Sequence, residues 1–348
     1  KAINLQPNYT KPYFILSTIK FSVKDKIWQN NVFSKDFLDG KLPHERIDIY
    51  FARASILHLE NKYSESSKYL KLANKIKLKL KPFKSDLFIK KSKELLLGSY
   101  ELETNILDKT SYPECIFIVG MPRSGSTLIE SILSMNESVD DLGEVNILEE
   151  SFLEWNKLRQ KNHKILLSEL YLKRLIETKN KLSITTNKWL YNYQYSGIIA
   201  KQIPNAKIIH CFRNPLDNIL SIYRANFAMG NEYSSSLIDC SKVYLDQEEL
   251  MNEYKNIFSS NIYSLSYDEL VSSPEEEIRK LIKWLDWIWD DSYLTPHLNS
   301  RSVSTASNIE VRSPINSQSV GGWKNYKDML KPAIEIFRKT DKYRDVFP

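Results

Sequence analysis

The chain has 348 residues, 42% hydrophobic and 26% charged, a composition of globular type with room for two domains. Its net charge of +6 arises from 49 basic and 43 acidic residues that alternate through most of the sequence, which argues against a nucleic-acid-binding stripe. No apolar run reaches the roughly 18 residues of a membrane span, and Cys115, Cys211 and Cys240 form neither a C-x-x-C pair nor a Cys/His metal cluster. Sparse thiols, with Cys115 and Cys211 at apolar strand-like segments where a reduced, buried state is the plain reading, lead us to expect a reducing cytoplasm. Lysines are dense from Lys75 to Lys93, where a solvated helix face is the plain reading and attraction of an acidic partner the sharper one.

The first hundred residues read as all-helical, with almost no glycine and apolar residues at helical spacing from Ile47 to Ile76. Ala54, Tyr63, Ser66, Leu70 and Ala73 resemble the small and aromatic positions of a tetratricopeptide repeat, which let two antiparallel helices approach closely. The opening Ala2-Ile-Asn-Leu-Gln-Pro7 resembles the end of a preceding repeat, and from Ala2 to Ala73 is 71 residues, close to two periods. The chain therefore reads as starting inside a longer helical array.

Next comes Cys115 to Glu130, CIFIVGMPRSGSTLIE, which predicts a buried strand, a glycine-anchored loop and a helix. Backbone N–H groups in such a loop and the positive end of the helix dipole converge on an anion. Gly120 and Gly125 allow tight folding and close approach. Ser124, Ser126 and Thr127 add hydroxyls, and Arg123 adds a charged fork. The glycine spacing is that of a Walker loop, but Ser126 stands where that motif requires its lysine. The run Pro122-Arg-Ser-Gly-Ser-Thr127 resembles the 5′-phosphosulfate loop of the sulfotransferases, which use 3′-phosphoadenosine 5′-phosphosulfate. That resemblance implies this nucleotide as donor co-substrate, with no metal, and a P-loop-like parallel sheet.

Asp141-Leu-Gly143-Glu144 follows about twenty residues later. Sulfuryl transfer to a hydroxyl needs a base, and none of the five histidines stands at a comparable position after the loop. Gly143-Glu144 is similar to the glycine–glutamate of protein-tyrosine sulfotransferases, which implies Glu144 as base. Thr185-Thr-Asn187-Lys188-Trp189 ends the next strand-like run. In the family a lysine here reaches the donor's bridging oxygen, so Lys188 is expected to neutralise the departing phosphate. Asn187 replaces the aspartate common in related bacterial proteins, which leaves the orientation of Lys188 in question.

At the end of Lys207–Phe212 stands Arg213-Asn-Pro215, with Ser221 eight residues on in a helix opened by Pro215 and Asp217. This resembles the family's 3′-phosphate motif, with Asn214 for its usual aspartate and Arg224 as a displaced second arginine. Ser266-Tyr267-Asp-Glu-Leu270 resembles the tyrosine-bearing segment beside the nucleotide. Thr305 to Tyr326 resembles a C-terminal lid, with Ser307 and Arg312 as its phosphate-closing residues and Lys324 in reserve.

Strands expected at Cys115–Val119, Leu182–Thr186, Lys207–Phe212 and Ile262–Ser266 alternate with helices at Leu128–Ser134, Lys164–Thr178, Asn192–Gln202 and Pro215–Phe227, the last continuing beyond Ser236. The expectation is an α/β sulfotransferase fold over 106–348, preceded by an all-α tetratricopeptide-like region over 1–105. Its catalytic residues would be Glu144, Lys188 and Arg123. Arg123, Ser124, Gly125, Ser126, Thr127, Arg213, Ser221, Tyr267, Ser307 and Arg312 would bind the donor. The acceptor (peptide, carbohydrate or small molecule) stays open, as does a protein partner on the repeats. Two rivals are a P-loop kinase or NTPase, and a non-catalytic scaffold for which Asn187 and Asn214 are lost carboxylates.

Overall fold

A computed structural model describes residues 2–19, 27–105, 112–178, 183–228, 230–299 and 310–347. The chain divides into two compact units, which interleave in sequence rather than meet at one boundary. The first comprises 1–86, 215–243 and 321–348; the second comprises 87–214 and 244–320. Among the described residues no helix is long and apolar enough to cross a membrane.

In the first unit, helices Pro43–Leu59 and Tyr63–Leu80 form an antiparallel hairpin. Glu45 caps the first by accepting from the Leu42 amide at 2.9 Å. Asn61 turns the chain at φ +60°, in the left-handed region that asparagine tolerates. Ala54, Ser66 and Ala73 are buried, and Ser66 Oγ donates to the Ala54 carbonyl at 2.8 Å. Tyr13, Trp28, Val32, Ile49, Ala52 and Ile56 fill a separate small core.

The second unit holds a five-stranded sheet, all parallel, in the order β2-β3-β1-β4-β5. The strands are β1 (Glu114–Gly120), β2 (Val139–Asp141), β3 (Ile184–Asn187), β4 (Ala206–Phe212) and β5 (Ile262–Ser266). Central β1 is buried on both faces, which is why it reads as an unbroken apolar run. Cys115, Phe117 and Val119 join one core, and Ile116 and Ile118 join the other. Each such fully buried side chain contributes roughly 1.5–3 kcal/mol. After β1 the chain fills the β3 side of the sheet, then crosses to β4. The strand order therefore reverses at β1, whose carboxyl end opens the crevice where ligands bind in such sheets.

Several expectations shift. β2 was not foreseen, nor was the helix Ile147–Gln160. Leu182 lies outside the described residues, and β3 begins at Ile184. The helix expected from Lys164 begins at Leu167, and Asn192–Gln202 resolves into a 3-10 turn, Leu190–Tyr195, and a short helix, Ser196–Gln202. The helix from Pro215 stops at Arg224, and a separate one, Leu237–Ile257, follows. It stops because the next residues have other partners. Asn226 donates to Asp48 at 3.2 Å, and the Phe227 carbonyl accepts from Lys77 at 3.1 Å.

Candidate active site

The loop leaving β1 is built around two left-handed residues before its helix Ser126–Leu133. Gly125 is the helix N-cap at φ +93°, and Arg123 takes φ +66° despite carrying a side chain. Such a conformation costs a non-glycine residue of order 1–3 kcal/mol, so it marks a place where the surroundings dictate the backbone. Gly120 stands level with Cys211 on β4, and a Cβ on it would fall 2.2 Å from the Cys211 carbonyl oxygen. The loop therefore starts against the strand end that carries Arg213 two residues later. Gly125 lies against the ring of Tyr267, where a Cβ would come within 2.4 Å of a ring carbon.

Ser124, Ser126 and Thr127 are buried, and the first turn of the helix carries no acidic residue. Ser124 Oγ has no protein partner. Hydroxyls and first-turn amides gathered without a carboxylate suit an anion.

Arg213 is buried, with its guanidinium 4.7 Å from the Tyr267 ring centroid. It donates through Nη2 to the Ser319 carbonyl, while Nε has no protein partner. Tyr267 and Ser319 hydroxyls are 2.8 Å apart. Two backbone contacts fix this corner: Tyr244 donates to the Arg213 carbonyl at 2.8 Å, and Asp268 accepts from the Asn214 amide at 2.6 Å. Contacts through Tyr267 thus join the loop, Arg213 and Ser319 at the carboxyl ends of β1, β4 and β5. An arginine Nε and a serine hydroxyl, both buried without protein acceptors, fit a phosphate-bearing donor.

On the other side of β1, Leu142 donates its amide to the Thr186 carbonyl at 2.9 Å, and Lys188 donates its own to the Gly143 carbonyl at 2.9 Å. These bonds extend the β2–β3 pairing past both strand ends and set Glu144 beside Lys188. Lys188 Nζ donates to Glu144 Oε1 at 2.7 Å; the lysine side chain is 0% exposed and the glutamate 45%. Asn187 is not part of this pair. Its Oδ1 accepts from the Trp189 amide at 3.0 Å and from Asn192 at 3.1 Å, holding the turn after β3. Lys188 is oriented by glutamates instead, Glu144 and, at 3.9 Å, Glu130 from the loop's own helix.

The remaining predicted residues are Ser221, Arg224, Arg312 and Ser307. Ser221 sits half-buried on the helix Pro215–Arg224, in the first unit, whereas Arg213 belongs to the second. Arg224 is 6.0 Å from the Tyr326 ring, also within the first unit. Arg312 is exposed and donates to the Asn299 carbonyl, and Asn299 donates to the Ser134 carbonyl at 3.1 Å, at the far end of the helix from the loop. Ser307 lies outside the described residues. Sequence reasoning missed Glu130, Asp268 and Ser319. The signal for Glu130 was available: one acidic residue on the buried side of the short apolar helix Leu128-Ile-Glu-Ser-Ile-Leu133.

An uncharacterized protein of Aquifex aeolicus is 33% identical over 247 residues, covering 65% of this chain and 32% of that protein. Protein-tyrosine sulfotransferase A of Caenorhabditis elegans is 24% identical over 232 residues, 60% of each. The chain thus spans less than two thirds of the length of these relatives. A solved mouse sulfotransferase complexed with PAP is 16% identical, with a TM-score of 0.46 over 73% of this chain and 91% of its own. The Sulfotransferase family matches residues 113–291, more than half of the sequence and the span that carries the loop, Glu144, Lys188, Arg213 and Tyr267. The chain belongs to the sulfotransferase family, and among its relatives it is similar to the protein-tyrosine sulfotransferases.

Proposed function

We propose that the chain transfers a sulfuryl group from 3′-phosphoadenosine 5′-phosphosulfate to an acceptor hydroxyl. The observation that carries this reading is the contact of Glu144 with Lys188, whose ammonium also lies 3.9 Å from Glu130 on the helix that follows an anion-binding loop lacking the Walker lysine. Glu144 takes the proton of the acceptor hydroxyl as its oxygen attacks sulfur. The bond from sulfur to the 5′-phosphate oxygen breaks, its electron pair stays on that oxygen, and the Lys188 ammonium offsets the charge that develops. Arg123 and the loop amides hold the sulfonate oxygens, and Arg213 and Tyr267 receive the far phosphate. A single spot that supplies both base and countercharge suits in-line displacement, where bond making and breaking occur on one sulfur. Tyrosine is the acceptor named for the nematode relative, and a tyrosine hydroxyl is the acceptor proposed here. The helical hairpin is assigned to holding the acceptor or a partner, as one repeat of a tetratricopeptide-like region.

The test uses labelled donor with tyrosine-bearing peptides. Wild-type protein transfers label, whereas Glu144→Gln binds 3′,5′-adenosine bisphosphate normally but transfers none. Turnover by Glu144→Gln at the wild-type rate contradicts the assignment of the base.

A further inference from the structure

Lys188 has no exposed side-chain surface, and a buried ammonium needs a counter-charge that remains with it. Glu144 is the nearer carboxylate, yet it is nearly half exposed, and on the reading above it must turn to an acceptor hydroxyl. Glu130 is placed differently. Its Oε2 lies 3.9 Å from Lys188 Nζ, and its side chain is only 3% exposed.

Glu130 also occupies an adverse place. It follows Ser126 by four residues, so the two share a face of the helix and the carboxylate sits one turn below the anion-binding loop. A negative charge there opposes the anion that the loop and the helix dipole are arranged to attract. Nothing about folding an apolar helix calls for a glutamate on its buried side. Pairing with Lys188 supplies a reason for it.

We infer that Glu130 is a positioning residue for the transfer step, the resident counter-ion that keeps the Lys188 ammonium aimed at the loop when Glu144 engages the acceptor. This rests on the sulfotransferase reading above. Two carboxylates then divide the work on one lysine by exposure. Glu144 is free to exchange partners with the acceptor, and Glu130 is enclosed and fixed.

A double-variant cycle tests this, read in two ways. Glu130→Gln is expected to lower kcat by about ten- to a hundredfold, as loss of an orienting partner does elsewhere, with little change in acceptor KM, and Glu130→Asp to recover part of the loss. Combined with Lys188→Met, Glu130→Gln should lower kcat no further, because the lysine through which it acts is gone. Melting temperature gives a readout that needs no turnover. Lys188→Met alone strands a buried carboxylate and lowers Tm, and adding Glu130→Gln restores part of the drop. Wild-type kcat in Glu130→Gln overturns the proposal, as does an equal fold-loss in the Lys188→Met background or a strictly additive melting cycle. Absence of transfer by the wild-type protein would overturn the reaction assignment instead, and the melting cycle would still decide whether the two side chains are paired.

Discussion

Gly120, the last residue of β1, faces the carbonyl oxygen of Cys211 on β4 so closely that a Cβ would lie 2.2 Å from it. The obstacle is backbone in the middle of a parallel sheet, so it cannot swing aside as a side chain would. Gly120 also has φ +139°, outside the range L-residues adopt with ease. Gly120→Ala is therefore expected to destabilise the second unit by at least about 2 kcal/mol and to weaken binding of 3′,5′-adenosine bisphosphate. Denaturant unfolding and calorimetric titration check the two effects, and an alanine variant with wild-type values for both contradicts the close approach.

Arg123 separates backbone from side-chain effects. Its left-handed conformation disfavours any residue with a Cβ by about 1–2 kcal/mol, against the extra chain entropy of glycine of about 0.5–1 kcal/mol. The first term wins. Arg123→Gly should thus unfold at higher denaturant than Arg123→Ala, although both lose the guanidinium equally. Both should lose sulfuryl transfer to a similar degree, measured with labelled donor.

His58 gives the first unit a pH dependence. Its Nδ1 lies 2.9 Å from the Tyr326 hydroxyl, which donates to Ser66 Oγ at 3.0 Å. That chain of donors ends at the Ala54 carbonyl and is complete when Nδ1 of a neutral ring carries the proton. Burial, reinforced by the nearby Arg224 charge, lowers the His58 pKa to about 3. The unfolded chain, with its value near 6.5, therefore binds a proton that the folded chain refuses. Stability from this group is complete above about pH 6.5 and declines as pH falls toward 3, by about 2 kcal/mol at pH 5. His58→Gln should flatten that part of the stability–pH curve relative to wild type. An unchanged slope between pH 7 and 5 would contradict the neutral buried ring.

What could be read from the sequence followed from how local each signal was. β1 and its loop were legible because a central parallel strand is apolar throughout and glycine spacing exposes the turn. Glu144 and Lys188 were each found, 44 residues apart, through separate motifs; their contact depends on β2, which sequence reasoning did not detect. β2 has three half-buried residues, two of them aspartates, so it shows no apolar alternation. Asn187 reads as a lost carboxylate against the aspartate common in related bacterial proteins, whereas the second carboxylate near Lys188, Glu130, comes from a different element. The division of residues into two interleaved units was not legible either, since Pro215–Val243 and Gly321–Pro348 join the N-terminal helices only through long-range packing.

On the proposed reading the nucleotide is gripped by its far phosphate at Arg213 as well as at the loop. Calorimetric titration of 3′,5′-adenosine bisphosphate against adenosine 5′-monophosphate, without added metal, measures that grip directly. The bisphosphate should bind at least about tenfold more tightly, as expected for charge-assisted arginine–phosphate bonds worth 1.5–3 kcal/mol, and Arg213→Ala should abolish the difference. Equal affinity of the two nucleotides for the wild-type protein would contradict it.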